Sequence, residues 1–313
     1  MTGEFDIIKR YFAPLSAAAP GAFGLGDDAA TLAPSPGAEI VVTTDTVAAG
    51  IHYLADAAPE HVVAKLVGSN LSDLAAMGAK PVGFTLNCAW TKGTREEDIA
   101  AFAAALKTWV DDYAFPLLGG DTVVNDGSAV FTVTAFGEVQ AGKALRRNGA
   151  KAGDGVYVTG TIGDGALGLK AATGDLTLDD DAMAFLIDRY QTPQPRITAG
   201  LALVGRATAC IDISDGLMQD AGHIAEQSKV DIVIETAKVP LSDAARAALP
   251  NDPDLMSVVL GGGDDYELLF TSTTPIAEAT HIGTVIEGEG NVRLVDADGN
   301  AVTLDDAGYR HFK

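Results

Sequence analysis

The chain has 313 residues and a formal charge of −22 at neutral pH, from 21 Lys and Arg set against 43 Asp and Glu. That excess repels nucleic acid and anionic membranes, and it repels a polyanionic substrate too unless metal ions bridge the two. With 47% hydrophobic residues, and apolar runs all broken well short of the roughly 20 residues of a membrane span, the composition excludes disordered and membrane-spanning chains and predicts two folded domains.

The N-terminus shows no basic-then-apolar signal pattern, so a cytoplasmic location is expected. The first marked segment is GLGDDAA at 24–30, two adjacent carboxylates at the end of a glycine-rich turn. A strand is predicted over 40–44, and then a helix through PEHVVAKLVGSNLSDLAAMGAKP. There Val63, Val67, Leu71 and Leu74 form one stripe, and Gly78 and Pro81 end it. A strand over 82–87 leads to a second helix, opened by a capping box of Thr94 and Glu97 and carried by Ile99, Phe102, Leu106 and Val110 to near Tyr113. Strands over 116–118 and 130–136 follow. Near 142–154 the chain turns basic and glycine-rich, KALRRNGAKAGDG, before a new strand at 156–159. The domain boundary is placed there, giving domains of residues 1–149 and 150–313. The second half has strands over 210–213, 230–234 and 267–270, with helices after Asp215 and around 182–190. Strands alternating with helices predict an α/β fold. Cys88 and Cys210 each lie in an apolar strand-like stretch and read as core residues, not as a disulfide or a thiolate metal site.

The paired carboxylates recur. TTDT at 43–46, NLSD at 70–73, LGGDT at 118–122, DISDG at 212–216 and GGGDDYE at 261–267 each set Asp at an element end or beside Gly or a hydroxyl. Together with GLGDDAA they point to hard divalent cations, which take oxygen ligands; Mg²⁺ uses a few carboxylates with water and substrate phosphates. Asp73 falls in the last turn of its helix, where the dipole disfavours a negative charge and a cation would offset it, and Asn70 lies one turn earlier on the same face. A strand reading puts Asp212 and Ser214 on one face and makes Asp215 the N-cap of the next helix. Asp212, ending an apolar strand, needs a partner.

Two phosphate-loop patterns are weaker. Gly137, Gly142 and Lys143 spell the start of a P-loop, but Ala144 stands where a hydroxyl is needed, and no helix is predicted after it. TGTIGDG at 159–165 opens a helix and its amides could cradle phosphate, though a tight structural turn is the favoured reading. Of five histidines only His52 lies in a chemically busy loop, and no Ser/His/Asp or HExxH pattern emerges. Arg147 is the candidate phosphate clamp.

In this order GDD, TDT with GIHY, NLSDLAAMGA, GGDT, RRNGAKAGD with VYVTG, DISDGL and the DYEL box resemble the thiamine-monophosphate kinase family, over essentially the whole chain from Gly3 to Phe312. Single Asp-Gly motifs are shared with aminoimidazole ribonucleotide synthetase and selenophosphate synthetase; NLSDLAAMGA and DYEL point to the kinase. The resemblance implies a dimeric, two-domain aminoimidazole ribonucleotide synthetase-like architecture of α/β (α+β) type, with mixed sheets flanked by helices. It implies that the N-terminal domain binds Mg-ATP and dimerises, that the C-terminal domain completes the substrate site, and that ATP phosphorylates thiamine monophosphate to thiamine diphosphate. By the same resemblance Asp28, Thr43, Thr44, Asp45, Asp73, Asp121, Asp212 and Asp215 hold several Mg²⁺ ions, and Gly120, Asp121, Arg147 and Ser214 contact ATP. His52, Asp264 and Tyr309 touch the thiamine phosphate. Asp28, Asp45, Asp73, Asp121, Asp212 and Arg147 form the catalytic set. The chain departs from the family at Asp264, where Glu is usual, at Tyr53 for Phe, and at Asp306, where an aromatic is common.

The chemistry agrees. A phosphate monoester has a second pKa of about 6, so the acceptor is largely dianionic and needs no general base. The obstacle is repulsion between two polyanions, which positioning and charge neutralisation overcome. The competing readings are another ATP-dependent synthetase of the same superfamily, and an acidic Ca²⁺-binding protein. The latter lacks its D-x-[DN]-x-[DN]-G loop here.

Overall fold

The computed structural model describes residues 3–304, apart from Asn251 and Pro253, together with Gly308. The chain divides into two compact units, Met1–Leu74 with Ala79–Gly142, and Ala75–Gly78 with Lys143–Lys313.

The first unit opens with a short helix α1 (Glu4–Ile7), followed by π and 3₁₀ turns to Leu25. Its sheet has the order β1-β4-β2-β3, built from β1 (Ala38–Ala48), β2 (Lys80–Thr91), β3 (Leu117–Asn125) and β4 (Val130–Gln140). β4 is antiparallel to both β1 and β2, whereas β2 and β3 run parallel. The parallel pair needs a crossover, and α3 (Glu96–Tyr113) supplies it. α2 (Pro59–Ala76) buries the stripe of Val63, Val67, Leu71 and Leu74 completely. On α3, Ile99, Phe102, Leu106 and Val110 are buried, and Phe102 stacks on Phe131 at 4.7 Å between centroids with Trp90 edge-on.

The opening of α3 differs from the Thr94 and Glu97 box. The helix starts at Glu96, and Asp98 accepts the N–H of Arg95 at 3.1 Å while pairing with its guanidinium. Thr94 instead donates its hydroxyl to the Thr91 carbonyl at 2.9 Å, closing the turn before the helix. The charged Arg95–Asp98 pair at the same three-residue spacing displaces the hydroxyl cap.

The second unit holds a seven-stranded sheet in the order β11-β10-β7-β9-β5-β8-β6. Its strands are β5 (Gly155–Val158), β6 (Ala209–Asp212), β7 (Val230–Glu235), β8 (Leu268–Ser272), β9 (Thr280–Glu287), β10 (Val292–Val295) and β11 (Ala301–Val302). All pairs are antiparallel except β7 with β10. Alternation along β5 sends Val156 and Val158 into one core and Tyr157 into another, where it stacks on Phe270. Both faces of the sheet are therefore covered. The helices are α4 (Asp164–Thr173), α5 (Asp180–Gln191), α6 (Ile197–Leu203), α7 (Leu217–Ser228), α8 (Asp243–Ala248) and α9 (Leu255–Gly261). Cys88 on β2 and Cys210 on β6 are buried and free, as their apolar settings predict. No helix among the described residues is long and apolar enough to cross a membrane.

Candidate active site

In the first unit GLGDDAA forms a built turn. Phe23, Gly24 and Leu25 take successive left-handed conformations, with φ of 50°, 64° and 58°. Such values are uncommon away from glycine and mark a backbone fixed by its surroundings. Thr31 closes the loop by donating its N–H to the Gly21 carbonyl at 2.8 Å. Asp27 and Asp28 are left exposed.

LGGDT lies at the start of β3. Gly120 passes so close to β2 that a Cβ there would lie 1.8 Å from the Leu86 carbonyl oxygen. Asp121 is exposed and accepts the Thr122 N–H at 2.9 Å. Burial pushes the nearby Cys88 thiol up, and the Asp121 charge adds to it. Asp27, Asp28, Gly120 and Asp121 line one cavity of about 340 Å³, whose other walls include the apolar Ile8, Phe12, Leu25, Leu86 and Leu118.

The pleat of β1 sets Thr43 and Asp45, both half-buried, on one face, and Thr44 and Thr46, both exposed, on the other. Thr43 donates its hydroxyl to Asp73 Oδ2 at 2.5 Å, joining TTDT to NLSD. Thr44 instead bonds the Val133 carbonyl at 3.0 Å, so its side chain lies away from the Thr43 face. Asp73 is half-buried in the last turn of α2. Asn70 is buried and spends its Nδ2 on the Leu66 carbonyl at 2.8 Å, leaving Oδ1 without a hydrogen-bond partner among the described residues. His52 accepts the Ala48 N–H on Nδ1 at 3.1 Å, which places the proton of the neutral ring on Nε2.

In the second unit Arg147 has an exposed side chain on an anchored main chain: its carbonyl accepts the Ser228 hydroxyl at 2.8 Å, and the Arg146 carbonyl accepts the Cys210 N–H at 2.9 Å. Asp212 ends β6 at 4% exposure, and its charge adds to the burial that raises the Cys210 thiol. β6 stops there, so Ser214 lies beyond the strand instead of sharing a strand face with Asp212.

Asp215 is not the N-cap of α7. That position belongs to Gly216 at φ 121°, and Asp215 accepts Gln219 Nε2 at 2.9 Å. Asp220, in the first turn of α7, binds the chain on the outer side of that cap: its Oδ2 accepts the N–H groups of Ser214, Asp215 and Gly216 at 3.1 Å each. Burial and the Asp215 charge push the Asp220 carboxyl up to about 7 against the pull of those three amides. An Asp in the first turn of a helix was the available sequence signal for it.

In GGGDDYE, Asp264 and Tyr266 are both left-handed, at φ 69° and 53°, and the Tyr266 hydroxyl donates to Asp264 Oδ1 at 3.0 Å. Between them Asp265 is buried and accepts the N–H groups of Gly163 at 2.8 Å and Gly165 at 3.1 Å. Those TGTIGDG amides are thus occupied, and the segment is a structural turn. Burial holds the Asp265 carboxyl well above the carboxylate range, opposed by the two amides and reinforced by the Asp164 and Glu267 charges. Glu267 is fully buried and bound by Arg189 at 3.1 Å, Arg196 Nε at 2.7 Å and the Thr159 hydroxyl at 2.6 Å. Sequence reasoning missed these partners, because nothing local links residues so far apart. The P-loop near-match fails as expected: Gly137 lies inside β4, and no helix occurs over 143–154. Tyr309 and Asp306 fall outside the described residues. Among the described residues no three His, Cys, Asp or Glu side chains gather in a preformed metal cage.

Residues 26–139 match the family AIR synthase related protein, N-terminal domain, and residues 151–296 match AIR synthase related protein, C-terminal domain. The chain is similar to the thiamine-monophosphate kinase of Caulobacter vibrioides, at 38% identity over 302 residues, 92% of this chain and 85% of that one. It is similar in structure to the thiamine-monophosphate kinase of Stenotrophomonas maltophilia K279a, with a TM-score of 0.83 at 35% identity over 94% of this chain and 98% of that one. It is similar also to AaThiL complexed with AMPPCP and TMP, with a TM-score of 0.80 at 31% identity over 93% and 97% of the two chains.

Proposed function

This chain belongs to the thiamine-monophosphate kinase family, within the AIR synthase related proteins, and we propose that it transfers the γ-phosphoryl group of ATP directly to the phosphate of thiamine monophosphate. The products are thiamine diphosphate and ADP.

The observation that carries this reading is the cavity of the first unit, which sets Asp27, Asp28, Gly120 and Asp121 against an apolar wall. A purine base suits the apolar side, and metal-bound phosphates suit the acidic one. The donors are carboxylates and hydroxyls, hard oxygen ligands that fit Mg²⁺, and Thr43 and Asp73 already form one close oxygen pair. Asp28, Thr43, Asp45, Asp73 and Asp121 of the first unit, and Asp212 and Asp215 of the second, are the side chains that would hold the ions; the Thr44 hydroxyl, on the other face of β1, is not among them. Bound Mg²⁺ supplies the charge neutralisation that lets two polyanions approach in line.

This chain's own groups do the remainder. Arg147 carries a cation on a fixed main chain and clamps phosphate bidentately. Gly120 lets β3 close on β2 at the edge of the cavity, and Ser214 offers a hydroxyl. His52, with its proton on Nε2, and Asp264, held by Tyr266, are the groups that would contact the thiamine phosphate. No residue is assigned as general base, since the acceptor oxygen is already anionic. Exposed Val42 on β1 and Val123 and Val124 on β3, the two edge strands of the first sheet, suit a homodimer, which sedimentation would detect.

The test is ADP formation with thiamine monophosphate, ATP and titrated Mg²⁺. Parallel reactions supply formylglycinamidine ribonucleotide or selenide as the acceptor. Turnover confined to thiamine monophosphate is expected; turnover with either alternative alone would replace this reading.

A further inference from the structure

Three successive N–H groups, from Ser214, Asp215 and Gly216, converge on one oxygen of Asp220 at 3.1 Å each. Convergent amides of this kind make a nest for an anion, and here the chain fills it with its own carboxylate. At 2% exposure that carboxylate is far from solvent, and burial of this kind is costly unless the group is fully used in bonding.

The opposite edge of the same loop is pinned too. The Ser214 carbonyl accepts the Asp264 N–H at 2.9 Å, the Ile213 carbonyl accepts the Tyr266 N–H at 2.8 Å, and the Glu267 carbonyl accepts the Ile213 N–H at 2.8 Å. The two strips leave no slack: a Cβ on Gly263 would lie 2.0 Å from the Ser214 carbonyl oxygen, and one on Gly216 would lie 2.4 Å from that of Gly261.

We propose that Asp220 is a positioning residue that fixes Ser214 and Asp215 on the nucleotide side and, through the backbone bond they share, Asp264 on the thiamine side. This rests on the kinase reading above. Asp220 itself touches neither substrate; it sets where the residues assigned to ATP, to Mg²⁺ and to the thiamine phosphate are held.

The test compares the full-length wild type with Asp220→Ala, Asp220→Asn and Asp220→Glu, by amide hydrogen exchange and by steady-state kinetics. In Asp220→Ala the amides of Ser214, Asp215 and Gly216 are expected to exchange about tenfold faster or more, and KM for ATP and for thiamine monophosphate to rise together by about tenfold, with a smaller fall in kcat. Asp220→Asn, which keeps an acceptor oxygen in place, is expected to recover most of both. Should Asp220→Ala fail to fold, Asp220→Glu displaces the oxygen by one methylene and is expected to raise both KM values and the same exchange rates. Unchanged exchange in the folded variants overturns the proposal, and a rise in KM for ATP alone overturns the link to Asp264. A wild type that forms no ADP with thiamine monophosphate strikes the kinase reading instead, and the exchange rates, which need no substrate, then decide the role of Asp220.

Discussion

Thr43 on β1 and Asp73 on α2, 30 positions apart, meet through a hydroxyl-to-carboxylate hydrogen bond of 2.5 Å. Asp73 is thereby held where the carbonyls ending α2 concentrate partial negative charge, a place that favours a cation. Asp73→Asn keeps size and an acceptor oxygen but removes the charge. It is expected to lower kcat/KM by about 10²-fold or more at ordinary Mg²⁺, with partial recovery as Mg²⁺ is raised and little change in Tm. Turnover equal to wild type across the Mg²⁺ titration would remove Asp73 from the metal set.

Arg147 is exposed, so its removal leaves the fold intact and tests the phosphate contact proposed for it. Loss of a charge-assisted hydrogen bond of about 1.5–3 kcal/mol corresponds to roughly 10- to 10²-fold in kcat/KM for Arg147→Ala. Arg147→Lys restores the charge but not the planar fork, and only partial rescue is expected. Equal kinetics for all three proteins would leave Arg147 an ordinary surface residue.

Gly119 and Gly120 make a matched pair of controls. A Cβ at Gly119 meets nothing within 4 Å, whereas one at Gly120 would strike the Leu86 carbonyl at 1.8 Å. Gly120→Ala is expected to cost about 1–3 kcal/mol of stability through forced backbone movement and to weaken nucleotide binding; Gly119→Ala is expected to do neither. Thermal melting and nucleotide titration of the two variants provide the comparison.

Glu267→Gln removes the charge that faces Arg189 and Arg196 in the interior of the second unit. Arg189 is 5% exposed, and its Nη1 already has no hydrogen-bond partner among the described residues. Arg189 then keeps only the longer pair of its Nε with Asp164 at 3.9 Å, and breaking a buried ion pair costs about 3–5 kcal/mol, so a large drop in Tm is expected. A drop of only a degree or two would mean that the arginines find other partners.

Asp265 titrates against the fold. Its folded form holds a proton more tightly than the unfolded chain, whose carboxyl titrates near 3.9, so folding stability falls as pH rises from about 4 toward the raised folded value. Asp265→Asn cannot titrate and is expected to lose that slope. Denaturation by urea at a series of pH values from about 4 to about 8 gives the comparison; parallel curves would show that Asp265 ionises alike in both states.

The helices α2 and α3 were legible because apolar stripes at helical spacing leave a strong local signature, and Val63, Leu71, Phe102 and Leu106 are buried accordingly. β3 runs from Leu117 to Asn125, well past the predicted 116–118, because its outer half exposes Val123 and Val124 on an edge strand and shows no buried-face alternation. The acidic segments were legible as motifs, and their oxygen-only chemistry follows from residue type alone. Which of them touch was not: Thr44 turns away from Thr43 by the pleat, and Gly216 takes the N-cap position expected for Asp215.

From its sequence alone this protein's element types, its acidic chemistry and its resemblance to a phosphotransferase family were determined, since propensity, periodicity and side-chain chemistry act over a few residues. Tertiary structure alone decided that Thr43 meets Asp73, that Glu267 binds Arg189 from 78 positions away, and that Asp265 takes the amides of Gly163 and Gly165. Those contacts depend on strand register, helix placement and the exclusion of water from buried charge, which no short window of residues contains.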